Sequence, residues 1–202
     1  MNSLRFALVS LLLTSPLVAQ AGAFDAFDIY AVPDSGLEID GPLGTIESEE
    51  GDAFGVRLLN SFGEHVFAAG QYQSSTYQGV GDPDLDQLRA GLGYSIGTLP
   101  VYVLAEYVRY ELGLVNSNGD DNGFGVHLGG KFDLFKYFSV EARVGYLDVG
   151  DAGNGFEYVA GAALNLDANF SVFAEYQETR LNNDADQDVI VADIRTGLRF
   201  RF

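Results

Sequence analysis

Polar and apolar side chains alternate along most of this chain with a period of two, and the alternation breaks at short clusters of Gly, Asn, Asp and Ser. In a strand, successive side chains point to opposite faces, so each alternating run reads as a β-strand with one apolar and one polar face. Runs at 24-33, 52-60, 65-77, 85-96, 100-112, 122-134, 138-148, 156-166, 170-181 and 189-202 predict ten strands, with eight as the alternative. Short turns at Ser61-Phe62-Gly63-Glu64, Gly97-Thr98-Leu99, Phe135-Lys136-Tyr137 and Asp167-Ala168-Asn169 alternate with longer connections around 34-51, 78-84, 113-121, 149-155 and 182-188. The fold class is all-β, and the layout is an antiparallel up-and-down barrel with its short turns at one end.

A weak repeat sets the register. Val66 to Tyr72, Val101 to Tyr107, Val140 to Tyr146 and Phe170 to Tyr176 each run from a turn to a tyrosine, and one face of each carries no charge. Aromatics gather at both ends of that apolar face: Tyr72, Tyr107, Tyr146 and Tyr176 at one, Tyr94, Phe132, Phe138 and Phe170 at the other. About nine residues of tilted strand separate the two groups, roughly 20 Å, close to the apolar band between the aromatic girdles of a membrane barrel. A sandwich core would instead place its aromatics at mid-strand, where this chain has Ala68, Gly70 and Ala105.

The leader decides which way the apolar face turns. Arg5, the apolar run Phe6 to Leu13 and Ala19-Gln20-Ala21 read as an export signal over 1-21, which leaves 22-202 as one barrel domain. No later stretch is apolar for long enough to cross a membrane as a helix, so a membrane-inserted chain of this kind must close into a barrel. The absence of cysteine removes disulfides and thiol chemistry. The whole chain carries −18, and loss of Arg5 with the leader makes it −19, which disfavours a nucleic-acid partner.

The C-terminus adds a motif. Arg195, Gly197, Phe200 and the terminal Phe202 form an alternating polar and aromatic ending. With the strand pattern, this ending resembles the small outer-membrane β-barrel superfamily that includes the OmpA membrane domain, OmpX and opacity-type surface proteins. The resemblance implies delivery by periplasmic chaperones to the barrel-assembly machinery of a Gram-negative outer membrane. It also implies contact with outer-membrane lipids and lipopolysaccharide. The chain departs from that family in its strand count of ten and in its lack of tryptophan.

Parity places Arg57, Arg89, Glu106, His127, Glu141, Arg143, Glu175, Asp193 and Arg195 on the inner face, as an interior charge network with Arg89/Glu106 and Glu175/Arg195 as expected partners. The two readings of that network are a polar plug and a narrow, cation-favouring passive channel. The long connections are acidic, as in Asp82-x-Asp84-x-Asp86 and Asp184-x-Asp186-x-Asp188, without the glycine of a calcium loop. Diffuse divalent cations are therefore the only metal expectation, and no cofactor is expected. His127 has Gly125 and Gly129 rather than a serine as its same-face neighbours, and His65 beside Glu64 reads as a solvated turn residue, so the reading is not an enzyme. A structural or surface-interaction role in the envelope follows, with a monomer favoured.

Overall fold

The computed structural model describes residues 24–41, 44–48, 51–78, 83–97, 99–114, 117–183 and 187–202. The expected leader at 1-21 lies outside them, as do Glu49, Glu50, Asp82, Asp184 and Asp186 of the acidic connections. Among the described residues eleven strands run in chain order: β1 Ala26–Gly41, β2 Gly44–Ser48, β3 Gly51–Phe62, β4 Val66–Tyr77, β5 Asp84–Ser95, β6 Val101–Leu114, β7 Ser117–Phe135, β8 Phe138–Asp148, β9 Asn154–Asn165, β10 Phe170–Asn182 and β11 Asp188–Arg201. Ten of them are staves of a closed antiparallel barrel. β1 pairs with β3 on one side and β11 on the other, while β2 only adds to the upper half of β1.

The connection expected at 34-51 is largely strand, and that expectation is corrected. β1 continues to Gly41 because an irregularity at Pro33 absorbs the break: its pairing with β11 jumps from Ala31 to Asp34, next to a residue with no N–H to donate. The bulge also switches parity, so Asp28, Tyr30 and Val32 are buried below it and Ser35 and Leu37 above it. The expected connection at 113-121 is corrected likewise, since β6 reaches Leu114 and β7 starts at Ser117. Seven residues of tilted strand beyond Tyr107 make a collar about 16 Å tall above the upper aromatic band.

The outward face is apolar through the middle of the barrel. Leu92, Val126, Leu128, Leu164 and Leu198 all point away from the lumen and are more than half exposed. Aromatic rings frame this band, with Tyr107 against Phe124 at 5.9 Å and Tyr146 against Phe156 at 5.5 Å near the collar, and Phe170 against Phe200 at 5.0 Å near the short turns. Tyr72, Tyr94, Phe132 and Tyr176 are also exposed on this face. A continuous apolar belt of this size would be an aggregation surface in water and a matching surface in hydrocarbon.

Inward rings lie flat against glycines of the neighbouring strand. The register sets Tyr30 opposite Gly55 and Gly197, Phe67 opposite Gly93, Tyr102 opposite Gly129, and His127 opposite Gly145. A Cβ on Gly93 would sit 2.0 Å from the Phe67 ring, so only glycine lets that ring lie against the wall.

Candidate functional site: the filled lumen

The lumen is packed in three layers: an apolar collar, a middle layer of ion pairs, and a lower layer in which aromatic rings adjoin a cavity with a charged wall. In the collar, Leu37, Tyr77 and Leu85 form one buried apolar cluster, and Val108, Leu147, Val149 and Leu181 form another. Tyr110 and Val189 pack against both. The extension of β1, which the sequence reading leaves as a loop, supplies Leu37 and Ile39 to this layer.

Below the collar is a layer of ion pairs. Arg89 lies 3.0 Å from Glu106 and grips Glu157 with two nitrogens at 2.9 and 2.6 Å. Glu157 also accepts from Arg143 at 2.9 Å, Gln177 at 2.9 Å and Thr179 at 3.0 Å. A second chain begins with Arg199 on Asp28 at 2.9 Å, passes to Arg57 on the same carboxylate at 2.9 Å, then to Glu175 at 3.1 Å. Arg195 continues it, 3.4 Å from Glu175 and 3.0 Å from Asp193, which in turn accepts from Ser35 at 2.6 Å and Gln73 at 2.9 Å. Gln177 joins the two chains, donating to Glu157 and accepting from Arg195.

Burial explains this density of ion pairs. Arg89, Glu157 and Arg195 have side chains only 1% exposed, and a buried charge is tolerated where opposite charges and hydrogen bonds compensate it; the Nε atoms of Arg89, Arg143 and Arg195 stay without a partner among the described residues. Rings add to the cations' surroundings: Arg57 and Arg199 stack on Phe173, with guanidinium carbons 5.7 and 5.2 Å from the ring centre, and Arg195 lies 5.4 Å from the centre of Tyr30.

All nine residues expected in the charge network face the lumen. Arg57, Arg89, Glu106, His127, Arg143, Glu175, Asp193 and Arg195 lie in the two chains, and Glu141 stands lower, 3.5 Å from Arg199 and 3.4 Å from the Tyr102 hydroxyl. The hub role of Glu157 and the participation of Asp28, Gln73, Gln177 and Tyr110 escape the sequence reading. Asp28 leaves one signal, a lone acid between outward Phe27 and Ile29 on the parity that meets Arg57 and Arg199.

Glu106, His127 and Glu157 bring one potential ligand atom each within 4.8 Å of one another. Arg89 bridges both carboxylates, so the guanidinium already supplies the positive charge that a metal ion would bring. His127 Nε2 stands 3.0 Å from Glu106, while the ring packs over Gly145. His65 lies at the turn before β4, 5.6 Å from the Tyr94 ring.

The lower layer combines an aromatic corner with a cavity. Phe24, just ahead of β1, enters the lumen and stacks on Phe67 at 4.1 Å and 7°, with its edge toward Tyr102 at 5.4 Å. Next to it is a cavity of ≈ 40 Å³ bordered by Arg57, Arg89, Lys131, Arg143, Arg199 and Arg201. At the barrel seam, Gly197 sits opposite both Tyr30 and Phe173, and a Cβ there would come 2.3 Å from the Ile29 carbonyl oxygen. The Phe202 N–H donates to the Asp25 carbonyl at 3.4 Å.

A closed ten-stave barrel with an apolar outer belt has the architecture of an outer-membrane β-barrel. Solved structures with this architecture resemble the chain. The outer-membrane protease OmpT from Escherichia coli matches with a TM-score of 0.58 at 10% identity, covering 93% of this chain and 100% of that one. The translocator domain of the autotransporter NalP from Neisseria meningitidis matches with a TM-score of 0.51 at 15% identity, covering 98% of this chain and 94% of that one. At such identities the likeness is one of fold, and neither protein's activity comes with it. No family model matches the chain, and no curated protein sequence matches it at a significant level.

Proposed function

We propose that this chain is an integral barrel of a Gram-negative outer membrane with a structural or surface-interaction role and no conductance of its own. The observation that carries the reading is the filled lumen: an apolar collar, an interlinked ion-pair layer and an aromatic corner lie one above another along the same axis. A cation-favouring channel has less support, because apolar and ion-paired side chains fill the two upper layers among the described residues and cations outnumber carboxylates around the lower cavity. The termini and short turns face the periplasm, and the collar stands outside among lipopolysaccharide with an acidic outer surface. Asp84, Asp86, Glu111, Asp120 and Glu178 on that surface attract divalent counterions diffusely.

Planar-bilayer recording of the refolded mature chain tests the reading. A silent membrane is the expected result, and a reproducible open state in the wild type would move the assignment to a channel. The ending Arg195, Gly197, Phe200 and Phe202 serves as the assembly signal in this reading, read by the periplasmic chaperones and assembly machinery. Deletion of Phe202 should lower the yield of heat-modifiable barrel in the outer membrane; wild-type yield would remove that role.

A further inference from the structure

We infer that the periplasmic end of the lumen is a binding site for a phosphate-class anion, held by Lys131 and Arg201. Both border the lower cavity with Arg199. The arginines of the middle layer each reach a carboxylate, but among the described residues no carboxylate lies within 4.0 Å of Lys131 or Arg201. The cross-strand neighbour of Lys131 is Glu141, and that carboxylate turns to Arg199 and to the Tyr102 hydroxyl. Among the described residues, the Arg201 side chain has one hydrogen-bond acceptor, the neutral Asn165 side-chain oxygen at 2.7 Å.

Two cations without a contacting carboxylate join Arg57, Arg89, Arg143 and Arg199 on a cavity wall that holds the carboxylates of Asp25, Glu106 and Glu141, and this excess of cations makes the local potential positive, although the chain as a whole is strongly acidic. A cavity of ≈ 40 Å³ has room for about three waters at roughly 10–15 Å³ each, the scale of one small oxyanion stripped of its hydration on the side that faces the wall. Gln71 strengthens the polarity of the wall, since its side-chain amide borders the same cavity and its Nε2 has no hydrogen-bond acceptor. A lysine and an arginine are a suitable pair for this chemistry, the one a point charge and the other a planar donor fork. The anion has two sources, free phosphate in the periplasm and the headgroup of a lipid in the inner leaflet.

The test is a calorimetric titration of the mature chain, refolded in dodecyl maltoside, with inorganic phosphate against sodium chloride of equal ionic strength. Saturable binding specific to phosphate is the expected result. Lys131→Met and Arg201→Gln should each weaken it about tenfold, as loss of one charge-assisted contact implies. Lys131→Arg should keep it. Heat-modifiable mobility of each variant checks that the barrel has formed, and glycerol 3-phosphate in place of phosphate separates the sources, competing if a headgroup fits and failing if only the free ion does. Equal heats for phosphate and chloride would overturn the site. So would a folded Lys131→Met, Arg201→Gln double variant that binds like the wild type.

Discussion

The collar and the middle of the barrel enclose the same kind of space and fill it in opposite ways. In the collar, Leu37, Tyr77, Val108, Leu147 and Leu181 exclude water by packing, as in a small soluble core. A few residues lower, Arg57, Arg89, Glu157, Glu175 and Arg195 fill the lumen with charge. The difference lies in how each layer responds to loss of one member. An apolar layer loses contacts in proportion to the volume removed, and its neighbours relax into part of the gap. An ionic layer loses the compensation for charges that stay behind. The charged layer is therefore the less tolerant of single substitutions, even though replacing the whole layer by matched apolar side chains could cost little.

Glu157→Ala tests this contrast most severely. It leaves Arg143 without its ion partner and Arg89 with Glu106 as its one carboxylate among the described residues, and it frees Gln177 and Thr179, so a loss on the order of 3-5 kcal/mol is expected. Urea unfolding in lipid vesicles, followed by far-UV circular dichroism because the chain has no tryptophan, measures it. A midpoint shift smaller than that of a collar truncation would break the comparison. Leu147→Ala is that truncation: the residue is fully buried, and about 2-4 kcal/mol should go, with the bilayer still silent because the charged layer below remains. Conductance in this variant would show that the collar alone seals the lumen. The smallest effect belongs to Glu178→Gln on the outer surface, where the carboxylate meets Tyr176 and Arg180 in solvent. No measurable change in the unfolding midpoint is expected, because an exposed pair is well screened. A shift comparable to Glu157→Ala would mean that burial is not what distinguishes the charged layer.

The barrel was largely legible because its rules are local. The pleat sorts side chains with period two, and turn residues mark where that sorting stops, so strand number, the apolar belt and the inward parity of Arg89 or Glu106 follow from neighbours in the chain. The reading failed where the local signal is mixed. Pro33 and the acids around it look like a loop, yet a bulge lets β1 run on to Gly41, and pairing with β11 and β2 rather than propensity holds that segment extended.

Position along the chain sets which face a side chain takes, but closure of the barrel sets what it meets there. Glu175 and Arg195 are cross-strand neighbours on adjacent staves, within reach of pattern reasoning. Arg57 meets Glu175 across 118 residues and Arg199 meets Asp28 across 171, contacts that exist only once β1 and β11 join and the stagger of the staves fixes every height in the lumen. Alternation by itself determined that charges would point inward. Only the closed barrel decided that Glu157 would be their hub, that the collar above would be apolar, and that no carboxylate among the described residues would contact Lys131 or Arg201, because those outcomes depend on distances between staves that no single strand contains.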